Sequence, residues 1–229
     1  MIYDAAQGLG CMVDSQPIGN YGDYVAFSLG RSKLFSIGEG GILICGNQKL
    51  YEKAIAFSQH PLRMHREIDN EKIRTAIDGV SMNFRMHPLV ASLALGQLEG
   101  FILSGKLEKL RKKFQETYRR LSSTSLTKML PRIPEGGCAN GMILPFIIST
   151  KDDLTRCEAE CKMLKLDIFK CGIQNPLHLS STIRRKRLLC HGENGNFEIY
   201  GHNTHKSGSC PEAERRCRYP QIFVKIHSN

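Results

Sequence analysis

The sequence predicts a mixed α/β or α+β protein, and three observations carry that prediction. Short apolar runs of strand type alternate with longer segments of helical period. Gly- and Pro-containing turn signals separate them. The hydrophobic content of 41%, with 21 Gly against 9 Pro, is that of a globular chain and excludes collagen-like or low-complexity classes. A length of 229 residues is enough for one large domain or two small ones.

In chain order, Ile2 and Tyr3 read as the end of a strand running into Asp4-Ala5-Ala6-Gln7, followed by a Gly-rich loop. Tyr24 to Ser28 is a compact apolar run of strand type, with β-branched and aromatic residues. A loop with Arg31 and Lys33 leads through Gly38-Glu39-Gly40-Gly41 to a strand at Ile42–Cys45. Gly46-Asn47 is a turn, and 48–58 has helical character. The segment 60–80 is polar with weak periodicity and reads as a loop or short helix over the surface, an insert whose role the sequence does not disclose.

From Pro88 onward, Leu89, Leu93, Leu95, Leu98, Phe101 and Ile102 recur near helical spacing, and a basic stretch continues in register to Leu121. This predicts a helix or helix pair, bent near Gly100 or Gly105, bridging two domains. Pro131, Pro134 and Gly136-Gly137 mark a boundary. Beyond it come a strand at 142–148, a helix to Leu164 capped by Thr150 or Asp152, and a short strand at Ile168-Phe169. The last fifty residues are loop-rich.

Composition narrows the function classes. No apolar run reaches the roughly 18–20 residues of a bilayer-spanning helix, and Met1–Asp4 has no basic signal-peptide region, so a cytoplasmic protein without a membrane partner is expected. Nine cysteines, an odd number, fit reduced thiols better than a disulfide framework. Cys157 and Cys161 stand four apart on a helix, but no second pair has zinc-site spacing. His191, His202, His205, Cys210 and Cys217 lack a ligand rhythm, so no metal is expected. The net charge of +10 concentrates in 106–120 and in Arg184–Arg187. Such charge can attract nucleic acid, an anionic membrane surface or a phosphorylated small molecule, or form a solvated helix face and a surface loop, and no nucleic-acid module is visible.

Two local patterns carry chemistry. Asp4 at a strand end is followed by Gln7, and Ser28 is followed by Lys33 and then the Gly38–Gly41 run. A lysine on a loop between apolar strands can be held in a pocket where its free amine attacks a carbonyl. A carboxylate on a nearby strand can keep a pyridine nitrogen protonated. That pairing is what a pyridoxal phosphate enzyme requires. Taken singly, each residue fits a surface lysine or an ordinary turn equally well.

Together, the Asp4–Gln7 motif, the Ser28-to-Lys33 spacing, Gly38–Gly41 and Asn83-Phe84-Arg85-Met86 resemble the DegT/DnrJ/EryC1/StrS family of pyridoxal phosphate-dependent aminotransferases, best known for nucleotide-linked keto-sugars. Pro176–Leu179 and Cys210–Glu214 resemble the family's small-domain motifs. The resemblance implies a fold type I (aspartate aminotransferase-like) α/β architecture with a partial large domain. Residues 1–100 would be the C-terminal portion of the cofactor-binding large domain, 101–121 a bridging helix, and 122–229 a small α+β domain.

It further implies that Lys33 is the Schiff-base lysine and proton shuttle, and that Asp4 pairs with the pyridine nitrogen. Gln7 would lie near the ring's phenolic oxygen, and Ser28 would bind the phosphate. Asn83 would reach the phosphate of a neighbouring subunit in a dimer, with a helix cap as the alternative; Arg85 would serve or brace the same place. Lysine rather than histidine at 33 implies transamination rather than sugar dehydration, with L-glutamate as donor.

The family carries a large part ahead of the Asp motif that supplies a phosphate cradle and an aromatic stacked on the cofactor. The chain is therefore expected to be a truncated product, half of a split enzyme complemented by an N-terminal partner, or a non-catalytic relative kept for binding or assembly. Weak or absent cofactor binding by the isolated chain is expected on the same ground.

Overall fold

The computed structural model describes residues 1–76, 82–170 and 222–225. The sequence motifs at Pro176–Leu179 and Cys210–Glu214, the basic run Arg184–Arg187, and His191, His202, His205 and Cys217 lie outside the described residues. The chain divides into two compact units. The first is Met1–Lys112 with Ile133–Met142; the second is Lys113–Arg132 with the described part of Ile143–His227.

The first unit is built on a three-stranded sheet. Strand β1 (Ile2–Asp4) begins it. Two short strands, β2 (Met12–Val13) and β3 (Gln16–Pro17), form a hairpin within the Gly-rich loop. Its turn holds Asp14 and Ser15 at φ 45° and 63°, the left-handed conformation that a tight hairpin turn demands. Strand β4 (Tyr24–Ser28) then pairs in parallel with β1, and β5 (Gly41–Cys45) pairs antiparallel with β4, giving the order β1-β4-β5. Alternation along β4 buries Val25 and Phe27 on one face, against Ala5, Leu9 and Ile18.

Helix α1 (Gln48–Ser58) starts where the turn signal placed it, with the Asn47 side chain accepting from Leu50 N at 3.0 Å. The segment from His60 is not simply surface chain. Pro61, at the first helical position, opens α2 (Pro61–Glu67), and α3 (Glu71–Ala76) follows. These are short helices, one of the two alternatives the weak periodicity of this segment left open, and each is too short for a sustained period. Met64 and Ile68 nevertheless bury against Ile55 and Ala56 of α1.

Helix α4 (Pro88–Leu103) is capped by His87, whose Nδ1 accepts from Leu89 N at 3.2 Å. The cap is thus His87 and not Asn83, as the sequence alternative had it. Val90, Ala94 and Phe101 pack on Leu29, Phe35 and Ile37, while Leu89, Leu95 and Leu103 are each more than 70% exposed. After a break at Ser104-Gly105, α5 (Lys106–Ser122) continues at 52° to α4. Gly105 takes φ 60° to make the bend, so the second of the two glycines proposed from sequence is the hinge. Among the described residues no single helix is long and apolar enough to cross a membrane. Strand β6 (Gly137–Cys138) returns to the hairpin and gives a small sheet of order β3-β2-β6.

In the second unit, β7 (Ile143–Phe146) leads to α6 (Lys151–Met163) and β8 (Ile168–Lys170). Strand β9 (Ile222–Lys225) sits between β7 and β8, antiparallel to both. Pro145 is tolerated because β7 is an edge strand. Thr150 and Asp153 form a reciprocal capping box at 3.0 Å in each direction. Cys157 and Cys161 are fully buried. Their mutual hydrogen bond raises the Cys157 thiol and lowers that of Cys161. Among the described residues no group of three or more metal-ligating side chains gathers.

Replacing buried Ile68 by Ala should cost about 2–5 kcal/mol by cavity formation. Thr150→Ala should cost about 1 kcal/mol through the lost cap, whereas Leu89→Ala on the exposed face of α4 should change stability by less than about 0.5 kcal/mol. Urea unfolding monitored by circular dichroism measures all three.

Candidate active site at the carboxyl end of the parallel strands

The register of the first sheet decides where the chemistry-bearing residues fall. Asp4 lies opposite Ala26, and Ser28 opposite Gly41. Because β1 and β4 run in parallel, Asp4 and Ser28 both stand at carboxyl ends of strands, where open α/β sheets bind ligands. Side chains alternate along a strand, so Asp4 shares a sheet face with Ala26 and Ser28, opposite the face that buries Val25 and Phe27. The Asp4 carboxylate is exposed and, among the described residues, accepts one bond, from Ala6 N at 3.0 Å to Oδ1. Ser28 Oγ accepts from Gly30 N at 3.3 Å, and its own proton is free to donate.

Lys33 lies on the loop that leaves the same end of β4. Its N–H donates to Gly30 O at 3.0 Å, which makes a tight turn. The loop is closed by Leu29 N donating to Gly40 O at 2.9 Å and Ile37 N donating to Leu29 O at 3.0 Å. Leu34 and Phe35, immediately after Lys33, are buried and anchor it. Gly40 has φ 144°, and a Cβ there would meet Met86 Cε at 3.1 Å, so a side chain at this position would strain the loop. Lys33 is half-buried and lines a cleft of about 590 Å³. Among the five residues expected from sequence, Lys33 is the one that lines this cleft.

Gln7 is exposed, and its contribution in this structure is through its backbone. Asn140, which is buried, donates from Nδ2 to Gln7 O at 2.8 Å and to Leu9 O at 2.9 Å. Arg111 Nη2 donates to Gly10 O at 2.5 Å, while Nη1 meets Glu108 at 2.6 Å. These two side chains pin the loop that follows Asp4, and neither was found by sequence reasoning. Their partners are more than a hundred residues away, and the bonds run to backbone carbonyls that no motif records. Beside them, burial raises the Cys11 thiol, opposed by the backbone at Asn140 and by Arg111.

Asn83 and Arg85 are exposed and lie together along a separate depression of about 420 Å³, with His87 and Pro88. Met82 N and Phe84 N donate to Phe57 O and Ser58 O at 2.9 and 2.8 Å, holding this strand-like segment against the end of α1. The structure places Asp4 and Ser28 at the carboxyl ends of β1 and β4 and Lys33 on the loop that follows Ser28, while Asp4, Gln7, Ser28 and Asn83 all lie outside the cleft that Lys33 lines. Asp4 and Ser28 offer a carboxylate oxygen and a hydroxyl on one sheet face, and Lys33 offers an amine on the loop that follows β4.

Asn140→Ala should leave two carbonyls of the 7–9 loop without their donor and cost about 1–3 kcal/mol. It should also open the loop, so that Cys11 is alkylated several-fold faster by iodoacetamide at pH 8, as read by mass spectrometry of the Cys11 peptide.

The model of the DegT/DnrJ/EryC1/StrS aminotransferase family matches residues 1–186. A GDP-perosamine synthase of Escherichia coli O157:H7 is 29% identical over 99 residues, covering 43% of this chain and 25% of that protein. The dTDP-4-amino-4,6-dideoxy-D-glucose transaminase of Shigella dysenteriae is 27% identical over 172 residues, 74% of this chain and 43% of that one. Among solved structures, the Escherichia coli GDP-4-keto-6-deoxy-D-mannose-3-dehydratase with bound hydrated pyridoxal phosphate superposes with a TM-score of 0.65 at 14% identity. That superposition covers 100% of this chain and 56% of the other, and establishes the fold type I architecture. The chain thus spans less than half the length of these two curated relatives and little more than half of the solved one.

Proposed function

The chain belongs to the DegT/DnrJ/EryC1/StrS aminotransferase family, and from that premise we propose that it carries the reactive lysine of a pyridoxal phosphate-dependent aminotransferase for nucleotide-linked keto-sugars. The observation that supports the reading is that Asp4 and Ser28 share one sheet face at the carboxyl ends of β1 and β4, with Lys33 on the loop that leaves β4 there. When bound, pyridoxal phosphate supplies an electron sink for the carbon that loses and regains a proton. Lys33 would hold the cofactor through its Nζ and would carry the proton to and from the reacting carbon. Asp4 keeps the pyridine nitrogen protonated through its carboxylate. The Ser28 hydroxyl donates to the phosphate, and Gln7 stands toward the phenolic oxygen. Asn83 serves the phosphate of a second copy in a dimer. L-Glutamate is the amino donor. Lysine at 33, with an amine that can both attack and shuttle, favours transamination over dehydration.

A second reading has its own observation. Ile42, Leu43 and Ile44 of the edge strand β5 are 40–50% exposed, as are still larger fractions of Leu89 and Leu95 on α4. Apolar surface concentrated on a sheet edge and one helix favours a role as an assembly partner, including as one half of a two-chain enzyme.

Incubation with excess pyridoxal phosphate followed by borohydride should add the reduced cofactor's mass to the peptide containing Lys33. Lys33→Ala should abolish that label, and Asp4→Asn should lower the transamination rate at least tenfold in the assembled enzyme. Label distributed evenly over the surface lysines would overturn the assignment. If the chain acts only in assembly, Lys33→Ala leaves partner binding unchanged and no transamination is found.

A further inference from the structure

The cleft beside Lys33 has a charge pattern that the reactive amine does not explain. Arg31 enters it from the turn after β4, and Lys106 from the first position of α5, so with Lys33 three cations line one cleft of the first unit. Among the described residues no carboxylate lines it, and none of the three makes an ion pair. Gathering like charges without a counter-charge raises the energy of the empty site and favours an anionic occupant. Ser36, Ser104 and Gln97 add neutral hydrogen-bonding groups to the same wall.

The size and lining of the cleft narrow the anion. About 590 Å³ is far more than one phosphate needs and falls within the range of small-ligand sites. Its lining includes Phe35 and Phe101, whose rings lie 5.5 Å apart at 55°. An anion with an uncharged body attached fits a lining that combines cations with aromatic carbon. Lys106 is brought to the cleft by the Gly105 bend, and Ser104 Oγ accepts from Lys106 N at 3.3 Å while donating to Phe101 O at 2.7 Å. The helix break is thereby tied to the cleft's own lining.

We propose that Arg31 and Lys106 form a clamp for the diphosphate of a nucleotide-linked substrate, holding its sugar against Lys33. The identification of the ligand rests on the reading of Lys33 as the reactive amine. The two cations would bind the two phosphate groups, with Arg31 offering a planar fork to one and Lys106 a point charge to the other.

Calorimetric titration of the full chain with GDP tests this, using inorganic pyrophosphate as competitor. GDP should bind, pyrophosphate should displace it, and affinity should fall as salt rises from about 50 to 200 mM, as expected for contacts between exposed charges. Arg31→Gln and Lys106→Gln, checked for folding by circular dichroism, should each weaken GDP about tenfold or more, as loss of a charge-assisted hydrogen bond predicts. GDP binding absent, or unchanged in both folded variants, overturns the clamp. Chain carrying cofactor fixed to Lys33 by borohydride should still bind GDP. If that adduct excludes GDP and both variants lose cofactor capture, the two cations serve the cofactor's phosphate and the proposal fails. Absence of capture at Lys33 with GDP binding intact would instead remove the amine chemistry and leave an anion clamp.

Discussion

The parallel pairing of β1 with β4 is the constraint on which the site depends. Three register pairs, extended by Ala5 N donating to Ala26 O at 2.9 Å, set Asp4 beside Ala26. A slip of one residue would turn Asp4 to the opposite face of the sheet, because the side-chain period of a strand is two. What prevents the slip is burial: Val25 at 0% and Phe27 at 8% exposure face Ala5, Leu9 and Ile18. The hydrophobic face of β4 thus does more than stabilise the unit. It determines that the polar face presents a carboxylate and a hydroxyl to the same side.

The loop from Leu29 to Gly40 extends this logic from the sheet to the amine. Leu29, Phe35 and Ile37 bury against Val90, Ala94 and Phe101 of α4, so the helix acts as the wall on which the Lys33 loop is moulded. Short backbone bonds at both ends of the loop remove much of the freedom a lysine on a surface loop would have. The half-buried position of Lys33 follows from this anchoring, since its neighbours Leu34 and Phe35 leave little room for the chain to lift away.

Features governed by local chemistry were legible in the sequence. The strand at Tyr24–Ser28 announces itself by β-branched and aromatic residues, α1 by Asn47, and α6 by Thr150, and each begins where those residues place it. The family was legible from ordered motifs. Features governed by distant partners were not. The β2–β3 hairpin pairs with Gly137–Cys138, more than 120 residues further on, and strands of two residues have no period to detect. Asn140 and Arg111 act on carbonyl oxygens of the 7–10 loop, a role that any residue of the loop would accept equally and that its sequence therefore cannot encode. Residues 61–76 left loop and short helix both open because neither helix there spans enough turns to show an apolar stripe.

The exposed apolar surface and the candidate site are linked by the same register. Leu43 of β5 pairs with Ala26, and Ala26 pairs with Asp4, so Leu43 lies on the sheet face that carries Asp4 and Ser28. Leu43 is 50% exposed, and Ile42 and Ile44, on the other face of the same edge strand, are 46% and 40% exposed. Neighbouring strands stand about 4.8 Å apart, which places Leu43 roughly 10 Å from the Asp4 backbone across two strands. A surface that covered both Leu43 and Asp4 would exclude water from the carboxylate and hydroxyl as it buried the apolar strand, and charge interactions there would gain strength as that solvent left.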